Sequence, residues 1–305
     1  MIKVFYLGAV GRSGTTLLER ALATSPSYVS LGEVVHLWER GLLGGESCGC
    51  GVPLTDCPFW REVGEVAFGG WGEVDANRVM ALRHAVDRNR YIPWLLVPRI
   101  APRRFRAQRA ELLGILSALY GAVVGIASRD ASGPLVLVDA SKHPSYYLLV
   151  RALPLVDVYL LHVVRDPRGV AHSWSKVVTR PEAGDDMERL GTLHSIGRWV
   201  SHNMALSLAG VRHRRRLLRY EAFAAHPGHL ADVASALIAD PAVRPPLIEA
   251  RRIDLQINHT VSGNPMRFAT GPVDIRADAA WATSMPKCSR LAVTLATAPL
   301  RWWYR

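Results

Sequence analysis

Residues 3–24 read KVFYLGAVGRSGTTLLERALAT, and this stretch decides the fold. Residues 3–8 are short, apolar and rich in Val, Phe and Tyr, the pattern of a buried strand. Gly8, Gly11 and Gly14 then recur at even spacing through a loop. Residues 15–24 follow with Leu17, Leu18, Ala21 and Leu22 on one face of a helix. Strand, Gly-rich loop and helix together form an anion site, because free backbone N–H groups and the helix dipole both favour a phosphate. An N-cap Ser or Thr would account for an ordinary strand-turn-helix. Three glycines with Arg12-Ser13-Gly14-Thr15-Thr16 exceed what a cap requires. A nucleoside-triphosphatase loop reads G-x-x-x-x-G-K-[ST]. With Gly14 as its second glycine, Ala9 stands at the first, Thr15 at the lysine and Thr16 at the Mg²⁺-holding hydroxyl. The lysine that reaches the β- and γ-phosphates is therefore missing, and a cation stands earlier, at Arg12. Such a loop suits a phosphate group without a γ-phosphate or an obligatory metal.

Working outward, Tyr28–Leu31 predicts a second short strand, followed by Gly32 and Glu33. Residues 73–128 read as helical, with breaks at Pro93, Pro98 and Pro102. Residues 134–138 (PLVLV) and 158–164 (VYLLHVV) predict buried strands, ending in Asp139-Ala140-Ser141-Lys142 and in Arg165-Asp166-Pro167-Arg168-Gly169. Helices are expected over 170–178, 187–209 and 227–237, and a strand over 216–220. Residues 251–305 read as loops with short helices. Strands alternating with helices imply an α/β fold: a P-loop-like parallel sheet flanked by helices, with a helical insertion at about 73–130. No linker is evident, so residues 1–305 are expected to form a single domain. In such sheets ligands bind beyond the carboxyl ends of the strands. Three clusters sit at those ends: Gly11 to Thr16, Asp139 to Lys142, and Arg165 to Ser173.

Composition narrows the class. The 305 residues are 49% hydrophobic and 21% charged, with a net charge of +11. That balance excludes general disorder and needs no disulfide framework. No run of about 18 uncharged apolar residues occurs, and the runs 153–164 and 291–304 each contain a charge. The N-terminus reads as a strand rather than a signal peptide, so the expected location is the cytoplasm. Arginines are spread along the whole chain, which disfavours a nucleic-acid stripe and leaves an anionic small substrate or an acidic membrane surface. High Ala, Arg, Val and Gly usage suggests a bacterial source.

The sequence resembles the PAPS-dependent sulfotransferases, close to their tyrosylprotein and carbohydrate branch. Their phosphosulfate loop reads [KR]-S-G-T-[TS], which Arg12 to Thr16 match without a gap. Their second signature, an Arg at a strand end and a Ser about eight residues later, is matched by Arg165 and Ser173 in VVRDPRGVAHSWSK. Gly32-Glu33, Asp139 to Lys142, Leu218-Arg219-Tyr220-Glu221, Ser262-Gly263-Asn264-Pro265-Met266-Arg267 and Trp281 extend the match. It covers about 1–43 and 134–285. The resemblance implies transfer of a sulfuryl group from PAPS to a hydroxyl, giving adenosine 3′,5′-bisphosphate without a required metal. It implies that Gly11, Arg12, Ser13, Gly14, Thr15 and Thr16 hold the 5′-phosphosulfate. Arg165, Ser173 and Arg267 would hold the 3′-phosphate, Tyr220 would line the site, and Gly263 and Asn264 would belong to a loop over the nucleotide. Glu33 would be the general base, with Arg12 as an electrostatic clamp and Lys142 on the sulfuryl group or bridging oxygen. Glu33 could instead be a helix N-terminal acid and Lys142 a surface cation. His36 and His143, near them in sequence, are competing bases. A kinase or hydrolase with a degenerate loop, and a nucleotide-binding protein without catalysis, are the alternatives.

Other features leave choices open. Residues 44–60 (GGESCGCGVPLTDCPFW) place Cys48, Cys50 and Cys57 in C-x-C-x₆-C spacing, with Cys288 remote. Reduced structural cysteines, a local disulfide or zinc all fit, but zinc lacks a fourth ligand. Phe59 and Trp60 are expected to anchor this loop. The arginines of 99–109 read as a solvated helix face or a contact for an acidic or membrane-associated acceptor. The tail Arg301-Trp302-Trp303-Tyr304-Arg305 suits either peripheral membrane contact or packing of a terminal helix. The acceptor, expected to be a small-molecule, glycan or glycolipid hydroxyl, would be held by residues within about 36–130 and 175–215.

Overall fold

Strand β1 (Ile2–Ala9) divides its side chains by parity: Val4 and Tyr6 enter one core, Phe5, Leu7 and Ala9 the other. A strand apolar on both faces must be covered on both. It is central in a five-stranded sheet with β2 (Tyr28–Gly32), β3 (Val136–Lys142), β4 (Val156–Val164) and β5 (Arg215–Arg219), in the order β2-β3-β1-β4-β5. Every pairing is parallel, with Phe5 opposite Val138 on one side and Tyr159 on the other. Strand β4 repeats the parity: Val158 and Leu160 face one core, Tyr159, Leu161 and Val163 the other. The computed structural model describes residues 1–129, 131–179, 186, 188–248 and 251–304.

Helix α1 (Thr15–Leu22) joins β1 to β2. Helices α2 (Pro58–Phe68), α3 (Ala76–Val86), α4 (Ile92–Leu96) and α5 (Arg103–Ala127) lie between β2 and β3. Helix α6 (Pro144–Arg151) precedes β4, and α7 (Pro167–Ser175) and α8 (Thr192–Ala209) precede β5. Helices α9 (Tyr220–Ala225), α10 (His229–Ile238), α11 (Trp281–Ser284), α12 (Lys287–Ala296) and α13 (Ala298–Trp303) follow. Met187, expected to begin the helix ending at Ala209, lies outside the described residues, as does Arg305.

The helical insertion starts earlier than its periodicity suggests, at Pro58, because α2 packs on α5. The helical run is interrupted near each of its three prolines, and each proline stands at the start of the element that follows. Pro93 lies in the first turn of α4, Pro98 opens a 3₁₀ turn and Pro102 precedes α5. A helix start lacks partners for its N–H groups in any case, so proline costs little there. Helix α5 is long and apolar enough, by length and composition alone, to cross a membrane. Its uncharged stretch, residues 112–128 between Glu111 and Arg129, falls just short of a spanning run. Its inner face, with Leu112, Leu116, Leu119, Tyr120 and Val123, is buried in the same core as Val4 and Tyr6, and the Tyr120 hydroxyl donates to Asp139.

Two further differences concern the C-terminal quarter. Strands β6 (Arg252–Leu255) and β7 (Gly271–Asp274) form an antiparallel pair where loops were expected. Four residues each, one run opening with Gly-Pro, carry too little alternation to be recognised. At the tail, Tyr304 packs, donating its hydroxyl to the Asn203 carbonyl at 2.9 Å, whereas Trp302 and Trp303 are each 70% exposed.

Glu19, on the buried side of α1, accepts the Gly32 N–H at 2.5 Å and so ties α1 to the end of β2. Burial pushes its carboxyl up to about 7, against the pull of the Gly32 and Ser30 hydrogen bonds. The folded state then binds the proton more tightly than the unfolded chain, so this group stabilises the fold below pH about 4.5 and that contribution is lost as pH rises towards 7. We expect Glu19→Gln to flatten the fall in unfolding free energy over this window by on the order of 3 kcal/mol. Urea titrations at pH 5 and pH 7.5 test it, and identical slopes in both proteins would contradict the assignment.

Candidate active site at the carboxyl edge of the sheet

The loop after β1 turns on two left-handed residues, Arg12 (φ 69°) and Gly14 (φ 80°). Gly14 takes this conformation at no cost, and a Cβ there would run into the Tyr220 ring. A Cβ on Gly11 would come 2.7 Å from Trp174. The glycines therefore let two aromatic rings close against the loop. Arg12 is the unusual member, since non-glycine residues rarely adopt positive φ. Lys142, at the end of β3, is another at φ 68°. Backbone held in this way at two cationic positions is the kind of local strain that clusters at functional sites.

A cleft of about 560 Å³ opens over this edge. Gly11, Arg12, Gly14, Thr15, Thr16, Glu33, Lys142, Arg165, Ser173, Tyr220 and Asn264 line it, so all five strand ends contribute. Ser13, Gly263 and Arg267 do not line it. Ser13 is wholly buried, with no hydrogen-bond partner for its Oγ among the described residues. Gly263 (φ 122°) lies behind Glu33, where a Cβ would be 3.2 Å from Oε1. Arg267 departs furthest from expectation. It is 1% exposed, donates to the carbonyls of Thr260 (3.0 Å) and Ser47 (2.8 Å), and holds loops together instead of facing the cleft.

Arg12 has an approach to Trp174, 5.3 Å from Cζ to the ring centre, and Arg198 approaches the same ring at 5.3 Å. Burial lowers the Arg12 pKa and Glu33 opposes this. Its Nε and Nη2 are buried without a hydrogen-bond partner among the described residues, so donors remain for an anion. Arg165 donates to the Arg12 carbonyl at 2.9 Å, lies over the Tyr220 ring, and pairs with Asp278 at 3.1 Å. It does not pair with its neighbour Asp166, which instead caps α7 and binds Arg168.

Glu33 and Lys142 form an ion pair, both side chains largely buried. Burial raises the Glu33 carboxyl, but Lys142 and then His36 more than offset this, and it lies below its ordinary value. Its backbone is fixed by Val261, whose carbonyl accepts the Glu33 N–H at 2.7 Å. His36 Nε2 is 3.6 Å from Glu33 Oε2, so the competing base touches the first candidate. Burial lowers the pKa of His36, and lowers that of His143 much further. The rings of His36, His143 and His202 follow one another at 6.0 and 6.2 Å along the cleft. Arg40, Trp174, Arg198 and His202 line the cleft without having been singled out from sequence. Trp174 is adjacent to Ser173, and that adjacency was the available signal.

Breaking a largely buried pair leaves an uncompensated charge. Lys142→Met is expected to cost about 3–5 kcal/mol of stability. Lys142→Met combined with Glu33→Gln is expected to restore a large part of the loss. Chemical denaturation of the two variants tests this, and equal stabilities would show that the charges do not interact.

No family model and no curated protein matches the sequence. Among solved structures, the sulfotransferase domain from the curacin biosynthetic pathway covers 98% of this chain and 98% of its own length at 15% identity, with a TM-score of 0.50. The sulfotransferase domain from the Synechococcus PCC 7002 olefin synthase covers 97% and 94% at 17% identity, with a TM-score of 0.43. The parallel sheet, its flanking helices and the loop after β1 give this chain the P-loop-like fold of a sulfotransferase domain.

Proposed function

We propose that this protein is a sulfotransferase that uses PAPS and a hydroxyl acceptor. The observation that carries the reading is the meeting of Arg12, Glu33, Lys142 and Arg165, from four strand ends, around one cleft. The unpartnered Arg12 nitrogens and the glycines at 11 and 14 fit an anionic phosphosulfate. PAPS supplies a sulfuryl group whose in-line transfer leaves adenosine 3′,5′-bisphosphate. Arg12 and the N–H groups at the start of α1 would hold the 5′ end and stabilise charge as the bridging oxygen departs. Thr15 and Thr16 offer hydroxyls to the 5′-phosphate. Arg165 and Ser173 would hold the 3′-phosphate, and Asp278, 41% exposed, would give way to it.

Glu33 is in its ionised form at neutral pH and can take a proton from the acceptor hydroxyl. Lys142 would turn from Glu33 towards the sulfuryl group, which frees the carboxylate to act as base. Beyond Glu33 the cleft runs between Asp87, Arg88 and Asn89 after α3 and His202 on α8. These residues fall in the two stretches expected to hold the acceptor, and we assign them a small-molecule, sugar or lipid hydroxyl. A nucleoside-triphosphate reading is not favoured, because Thr15 stands where that loop needs its lysine.

Calorimetry without added Mg²⁺ tests the donor. We expect adenosine 3′,5′-bisphosphate to bind more tightly than ADP or ATP, and Arg165→Ala to weaken it by about 10- to 100-fold, the worth of a charge-assisted hydrogen bond. A preference for ATP with Mg²⁺ would overturn the reading. With an acceptor in hand, Glu33→Gln should lower kcat by about 10²–10⁴ while leaving bisphosphate binding unchanged. Normal turnover by that variant would transfer the role of base to His36 or another group.

A further inference from the structure

Away from the cleft, the loop that precedes α2 brings three cysteines to one histidine. Cys48, Cys50, Cys57 and His259 each offer one donor atom, and all four atoms lie within 4.8 Å of one another. The His259 Nδ1 is 3.2 Å from the Cys57 sulfur and 3.8 Å from the Cys48 sulfur. In a tetrahedral zinc site, with Zn–S near 2.3 Å and Zn–N near 2.0–2.1 Å, neighbouring ligand atoms are separated by about 3.5–3.8 Å. The His259 separations bracket that spacing, so the cluster is close to the dimensions of a Cys₃His tetrahedron. We infer that Cys48, Cys50, Cys57 and His259 bind a structural Zn²⁺ ion.

The surroundings are built for this convergence. His259 comes from 202 residues beyond Cys57, so no local turn explains the meeting. Its ring is stacked on Phe59 at 5.4 Å and 17°, which fixes the imidazole plane. Its carbonyl accepts the Trp60 indole N–H at 2.6 Å. Gly49 lets the two chains touch: its N–H donates to the Thr260 carbonyl at 2.9 Å, and a Cβ there would strike Asn258 and Thr260. Reduced apolar cysteines need no histidine beside them. The cysteines are not disulfide-bonded, and a disulfide between two of them would leave the third and His259 unexplained.

Four protein ligands, two of them wholly buried, leave no open position, so the ion would be structural rather than catalytic. Its place in the fold gives it a defined mechanical role. It would cross-link the loop at 48–57 to His259. Two residues on, Val261 pairs with Leu31 and Glu33 and so fixes the backbone that carries the proposed base. The inference is independent of the donor and acceptor, because metal content is measured without turnover.

The full chain is purified without chelator, and its zinc is measured after gel filtration. We expect one equivalent per chain. Replacement by Co²⁺ should give sulfur-to-cobalt charge transfer and the intense visible bands of a tetrahedral site. His259→Ala and Cys57→Ser should lose the metal, Cys288→Ser should retain it, and His259→Cys should rebind it as a four-sulfur site. The Co²⁺ spectrum of the unaltered chain keeps the test valid if a variant fails to fold. Absence of zinc or other transition metal, with no Co²⁺ spectrum and with Cys48, Cys50 and Cys57 reacting freely with a thiol reagent or recovered as a disulfide, would overturn the assignment.

Discussion

Five strands running the same way must release their chains at the same edge of the sheet, and the remainder of the molecule is arranged around that constraint. Strand β1 is central, paired so that Gly8 meets Lys142 on β3 and Ala9 meets Val163 on β4. That register delivers Arg12, Lys142 and Arg165 to one cleft although more than a hundred residues separate the first from the others. Strand β2 adds Glu33 from the far side of β3. Gathering like charges costs free energy unless partners or ligands offset it. Here Glu33 neutralises Lys142, Asp278 meets Arg165, and Arg12 is left against an aromatic ring with donors unspent.

A second layer keeps these groups in place. Arg20, buried on α1, donates to the carbonyls of Arg267 and Gln256, each at 2.6 Å, and of Ala269 at 3.0 Å. Arg267 in turn binds Thr260 and Ser47. These contacts join the first helix, the cysteine loop and the segment around residues 256–269 into one support under Glu33. An arginine buried in this way gains from fixed carbonyl partners that water would otherwise supply. The proposed zinc site lies in the same support, so the fold would place a metal where two long-range segments meet rather than where chemistry occurs.

Local pattern was sufficient wherever the candidate site is built from consecutive residues. The strand-loop-helix at 3–24, the Arg165–Ser173 spacing and the Gly32-Glu33 turn are each read from one short window, because a strand's carboxyl end and a helix's first turn are set by nearby residues. The alternation of strands and helices likewise carried the α/β class and the parallel sheet. Boundaries moved where an element is defined by what it packs on, as with α2 joining the helical insertion and β6 pairing with β7.

What the tertiary structure alone decided concerns partners distant in the chain. Arg267 matched a motif by sequence yet turns inward, because the carbonyls of Ser47 and Thr260 are within its reach. His259 carries no signal of its own, and becomes meaningful beside three cysteines some two hundred residues earlier. Lys142 and Glu33 were separate candidates until parallel pairing of β2 with β3 placed their side chains together. The sequence by itself determined the fold class and the strand-loop-helix at 3–24, since both depend on local spacing. The pairing of charges, the clustering of donors and the lining of the cleft follow from sheet register and loop contacts, which no single window of sequence contains.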